Sequence, residues 1–110
     1  MCGDATGVNN ISKLSSQDLY NISGLEGKTV SLTGFFSYNF EDIALYPNMF
    51  NPNEKGIWLA FDKASLKNDS ILVRFNGKRV MIIGKLNFSS KGHLNSYFCT
   101  LENITCMKEL

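Results

Sequence analysis

Gly77-Lys78-Arg79-Val80-Met81-Ile82-Ile83-Gly84-Lys85-Leu86 repeats, at a distance of fifty residues, the stretch Gly27-Lys28-Thr29-Val30-Ser31-Leu32-Thr33-Gly34-Phe35-Phe36. Both read Gly-Lys-x-Val-x-(Leu/Ile)-x-Gly, and both run on into alternating apolar residues. In an extended chain Val30, Leu32, Phe36, Tyr38 and Phe40 share one side, with Gly34 among them, and Val80, Ile82, Leu86 and Phe88 do the same around Gly84. Alternation with a period of two marks a strand, because successive side chains point to opposite faces. A glycine in mid-strand marks a bulge or a bend. Two long bent strands predict a small, strongly curved antiparallel barrel.

The totals fit a single domain. With 110 residues, 44% of them hydrophobic, the chain has enough apolar material for one core. A net charge of +1 announces neither a nucleic-acid nor a membrane partner. The charge is uneven, however: Lys63 to Lys91 holds seven basic residues against one acid, Asp69. Five Asn-x-Ser/Thr sequons, at Asn10, Asn21, Asn68, Asn87 and Asn103, fit a chain with twelve asparagines, and ask for no glycan.

Residues 1–14 are small and polar and read as a flexible tether ahead of a domain at residues 15–110. The opening resembles the mature start of a bacterial lipoprotein, in which an acylated cysteine, here Cys2, leads into a polar segment. The competing reading is a cytoplasmic protein with an incidental early cysteine. Ser15 or Ser16 can cap a short helix carrying Leu19 and Ile22, which Gly24 ends. Gly27-Lys28-Thr29 is not a phosphate loop: Ile22 stands where that motif needs glycine, and a strand follows instead of a helix. Glu41 to Lys55 reads as a long loop, with a brief strand at Ala44-Leu45-Tyr46. Gly56 to Phe61 is a strand with Ile57, Leu59 and Phe61 on one face and Trp58 on the other, and Asp62 can cap a short helix, Lys63 to Lys67. Asn76-Gly77 predicts a type I′ hairpin between Ile71–Phe75 and the second repeat. The last strand is expected from near Leu94, with a bulge or turn at Glu102-Asn103.

This order of strands, with a short helix before the fourth, resembles the OB-fold, the five-stranded Greek-key barrel. It is also similar to small bacterial OB-like domains of uncharacterised secreted proteins and lipoproteins. The matching pieces are the two Gly-Lys-x-Val-x-x-x-Gly stretches, Ala44-Leu45-Tyr46, Gly56-Ile57-Trp58-Leu59 and Leu101-x-Asn103-Ile104, across residues 16 to 107. The expected fold is therefore an all-β OB-like barrel with one or two short helices. OB-folds host unrelated activities, so function must come from a site.

Catalytic and metal-binding signals are weak. His93 is the single histidine, in a turn beside Gly92; Glu41 and Asp42 are neighbours whose side chains diverge, and read as solvated loop charge. No cofactor is expected. Cys99 and Cys106 lie about 23 Å apart if they share one continuous strand, and face each other only if Glu102-Asn103 is a hairpin turn. Aromatic residues off the core face, Phe35 and Trp58, and two in the long loop, Tyr46 and Phe50, are the candidate partner-binding set. Trp58 reads equally well as part of a second small core under the N-terminal helix. The resulting expectation is a non-enzymatic protein-binding module of the bacterial cell envelope, lipid-anchored at Cys2 and touching the membrane only there. An immunity protein that occludes a toxin is one concrete form. The alternative is a single-stranded nucleic-acid binder using Arg74, Lys78, Arg79 and Lys85.

Overall fold

The two copies of the repeat are hydrogen-bonded to each other in the computed structural model, which describes residues 11–16, 18–21, 24–39, 42–47 and 55–110. The expectations placed on Cys2, Ile22, Phe40, Glu41 and Phe50 fall outside those residues. In chain order the elements are β1 (Ser12–Ser15), β2 (Thr29–Asn39), β3 (Asp42–Tyr46), β4 (Ile57–Leu59), α1 (Lys63–Lys67), α2 (Ser70–Phe75), β5 (Arg79–Asn87) and β6 (Cys99–Glu109).

β2 and β5 run antiparallel with Val30 opposite Gly84, Leu32 opposite Ile82 and Gly34 opposite Val80. The flanking bonds obey the same symmetry. Gly27 N–H donates to the Leu86 carbonyl at 2.9 Å, and Gly77 N–H donates to the Phe36 carbonyl at 2.8 Å. Leu86 N–H donates to Lys28 O as Phe36 N–H donates to Lys78 O, both at 2.9 Å. A local twofold axis between Leu32 and Ile82 therefore relates the copies.

Closure follows from that pairing. The strands run β2-β3-β4-β6-β5 and return to β2, giving a closed five-stranded barrel with β4 and β6 parallel and the other pairs antiparallel. This is an all-β, OB-like barrel. β1 adds a parallel strand on β2. The inward faces hold Leu32, Phe36, Leu45, Ile82, Leu101 and Met107, all 2% exposed or less. Gly34 and Gly84 sit where neighbouring backbone comes closest: a Cβ would lie 2.8 Å from Tyr46 O at Gly34, and 2.8 Å from Glu102 O at Gly84. At Gly34 β2 passes from β5 to β3, and opposite Gly84 β6 carries its bulge, with Asn103 at φ 51°.

The expected hairpin at Asn76-Gly77 is corrected. Residues 70–75 form α2, with Leu72 and Phe75 buried at helical spacing and Val73 57% exposed. β5 already has β2 on one edge and β6 on the other, so no edge is left for a hairpin partner. Asn76-Gly77 instead makes a type II turn, with Asn76 at φ −57°, ψ 129° and Gly77 at φ 80°; Lys78 N–H donates to Phe75 O at 3.0 Å. Near the N-terminus, β1 occupies Ser12–Ser15 and so takes in the last three residues of the stretch, 1–14, read as tether. The expected helix is a single 3-10 turn, Asp18–Tyr20, which Ser15 and Asp18 close with reciprocal bonds, and which buries Leu19. The last strand begins at Cys99; Leu94 lies in a second 3-10 turn, His93–Asn95.

Candidate functional site

On β3, Ile43 and Leu45 turn towards the core, so Asp42, Ala44 and Tyr46 face outward. The Tyr46 hydroxyl donates to Asp42 Oδ1 at 2.7 Å. Its side chain thus reaches along β3 past Ala44, which is fully buried although it points away from the barrel core. The same Oδ1 accepts the Tyr97 hydroxyl at 2.7 Å, and Oδ2 accepts Ser37 Oγ at 2.7 Å. Asp42, expected as solvated loop charge, is instead the acceptor that ties β2, β3 and the segment before β6 together. Burial, then the hydrogen bond and charge of Asp42, push both phenols well above the ordinary tyrosine value.

That shift has a readable consequence. Both phenols are held protonated in the fold, so their contribution is complete below the unfolded value of about 10 and is lost as pH rises above it. The contribution of these two phenols to stability should stay flat up to about pH 10 and then fall. Absorbance at 295 nm should show Tyr46 and Tyr97 ionising only together with unfolding. Early, reversible ionisation of all four tyrosines in the folded chain would contradict the network.

Trp58 pairs with Ala44 across β3 and β4 and lies beside this network. Its ring centroid is 5.1 Å from that of Tyr97 and 6.2 Å from that of His93, the latter nearly parallel at 25°. Gly92 lets the loop seat on Trp58, since a Cβ there would lie 2.5 Å from the Trp58 Cβ. Trp58 is therefore half-buried in a small second cluster, built under the β5–β6 loop and not under the N-terminal turn. His93, read as a surface turn residue, stacks on Trp58.

The residue that sequence reasoning missed is Leu94. It is 80% exposed and adopts φ 56°, followed by Asn95 at φ 57°. Two successive non-glycine residues in the left-handed region carry strain that surrounding contacts must hold. An apolar residue inside the polar turn Gly92-His93-Leu94-Asn95-Ser96 was the available signal.

Phe35 sits on the outward face of β2, opposite both Tyr46 on β3 and Arg79 on β5. Phe35 and Tyr46 border an open depression of about 170 Å³. The four basic residues are not gathered. Arg79 and Lys85 lie about 20 Å apart along β5. Between them, on the same face, lie Met81 and the buried Ile83. Lys78 pairs with Glu109 at 3.9 Å, and Arg74 lies over the Phe75 ring at 5.4 Å.

No protein-family model, no curated protein and no solved structure matches this chain. Fold and face together describe an OB-like barrel whose outward β3–β4 surface and β5–β6 loop carry aromatic groups, a half-buried carboxylate and one protruding leucine.

Proposed function

We propose that the chain is a non-enzymatic protein-binding module of the bacterial cell envelope. The observation that carries this reading is Leu94, an exposed leucine held in strained backbone beside the Trp58–Tyr97–His93 cluster. Residues held in sparsely populated backbone regions cluster at binding and switch sites, and this is what singles out Leu94 from other exposed apolar residues. Aromatic residues and arginine, here Trp58, Tyr46, Phe35 and Arg79, are the types that dominate protein interfaces. The mechanism is occlusion: Leu94 inserts into a partner, the aromatic face covers its surroundings, and about 800 Å² per side suffices. An immunity protein covering a toxin's active surface is the concrete form of that mechanism. The envelope location is supported by Cys106, which is disulfide-bonded, since such bonds persist in oxidising compartments.

Leu94→Asp should weaken binding to the partner co-purified from envelope extract by about 30-fold or more, as expected for an anchor worth at least about 2 kcal/mol. Unchanged affinity would remove Leu94 from the interface. A second reading rests on the row Arg79–Phe35–Tyr46, which sets a cation beside two aromatic rings in the manner of single-strand stacking sites. It requires oligonucleotide affinity that falls steeply with salt. Absence of binding at low salt removes it.

A further inference from the structure

We infer that Cys2 is the disulfide partner of Cys106, and that the bond fastens the chain ahead of β1 across the outward face of β2, β5 and β6. Three observations lead there independently of the binding face. First, Ser31, Ile83 and Cys106 form one row across these strands, with Ser31 opposite Ile83 and Ile83 opposite Cys106. Their neighbours Leu32, Ile82 and Met107 fill the core, so by strand alternation this row points outward. Yet Ser31, Ile83 and Cys106 are only 5%, 2% and 7% exposed. The row is therefore covered.

Second, Cys106 is disulfide-bonded while Cys99, buried on the inner face of the same strand, is a free thiol. The chain has three cysteines, which leaves Cys2. The two partners weighed from sequence, Cys99 and Cys106, are on opposite sides of the wall.

Third, the reach is sufficient. β1 lies beside β2, with Lys13 opposite Ser31 in the same row. Three strand spacings, about 14 Å, separate β1 from β6. The ten residues from Cys2 to Ser12 span up to about 33 Å when extended. The intervening Gly3-Asp4-Ala5-Thr6-Gly7-Val8 is mostly small, as a segment lying flat on a sheet requires. The bond forms when the two thiols lose two electrons and two protons to a protein dithiol–disulfide oxidant of the envelope, through a mixed disulfide. A Cys2 sulfur so engaged has no valence left for a thioether lipid, so this inference and a lipid anchor at Cys2 exclude each other.

The test is disulfide mapping of the full chain recovered from an oxidising compartment and alkylated without reduction. Combined cleavage after lysine and glutamate separates Cys99 from Cys106, because Glu102 lies between them. The expected product is the Asn103–Lys108 peptide joined to the peptide that carries Cys2, and the denatured, unreduced chain should present one titratable thiol. That thiol is Cys99, which burial pushes up to about 12, so it should stay silent to thiol reagents until the chain unfolds. A lipid-modified Cys2, three titratable thiols, a Cys99–Cys106 link or a Cys106 bond between two chains would each overturn the inference. Hydroxyl-radical footprinting reads the covering directly: labelling of Ile83 should rise several-fold on reduction, and equal labelling in both states would refute it.

Discussion

Gly84→Ala is expected to destabilise the fold by about 2–3 kcal/mol, the upper range for overpacking, because the groups in the way are not free to move. The new methyl would stand 2.7 Å from Leu101 Cγ and 2.8 Å from the Glu102 carbonyl oxygen, and the second of these is backbone in a paired strand. By the local twofold, Gly34→Ala should cost a similar amount, with Tyr46 O at 2.8 Å and Leu45 Cγ at 2.9 Å. In a domain of this size each change should lower Tm by roughly 10–20 °C. Gly24→Ala supplies the contrast: Gly24 has φ 79° and open space around it. Its cost should be about 1 kcal/mol, from the left-handed backbone alone. Thermal melts that rank all three changes equally would mean that the two mid-strand glycines are not the sites of close strand approach.

The second large effect is expected at Asp42. Asp42→Ala removes the acceptor of three hydroxyls at once, those of Ser37, Tyr46 and Tyr97, each at 2.7 Å. Hydrogen bonds to a charged group contribute about 1.5–3 kcal/mol, and of the phenols left behind Tyr97 is buried and Tyr46 partly so, so a loss of about 3 kcal/mol is expected. Asp42→Asn keeps an acceptor oxygen and should lose about half as much. Tyr97 also holds one side of Trp58, so the alanine variant should quench or shift the fluorescence of this single tryptophan in the folded state. Equal stability of Asp42→Ala and wild type would show the carboxylate to be solvated, as its sequence neighbourhood suggested.

The barrel was legible because its signals are local. Val30, Leu32, Val80 and Ile82 alternate in place, and Gly34 and Gly84 mark the bends, so period and interruption together specify two curled strands. α2 was not legible for the opposite reason. Ile71-Leu72-Val73 favours a strand by residue type, and Asn76-Gly77 favours a hairpin; what decides the matter is that both edges of β5 are occupied by strands remote in sequence. Asp42 was misread because one of its partners, Tyr97, is 55 residues away. Phe35 and Trp58 were read as lying off the core face, since strand parity alone fixes that, whereas Tyr46, assigned to the long loop, faces outward at the end of β3. That Arg79 joins Phe35, while Lys85 goes to the far end of β5, depends on register, which parity does not supply.

The most direct test of the binding face is photo-crosslinking in the native envelope, with a photoreactive residue placed at position 94. A control chain carries it at position 73 on α2, where Val73 is likewise an exposed apolar residue, at 57%. The expected result is one protein adduct from position 94, absent from position 73 and competed away by unlabelled wild type but not by Leu94→Asp. Adducts of equal yield from both positions, no protein adduct from position 94, or an adduct with nucleic acid would contradict a protein-binding face on β3, β4 and the β5–β6 loop.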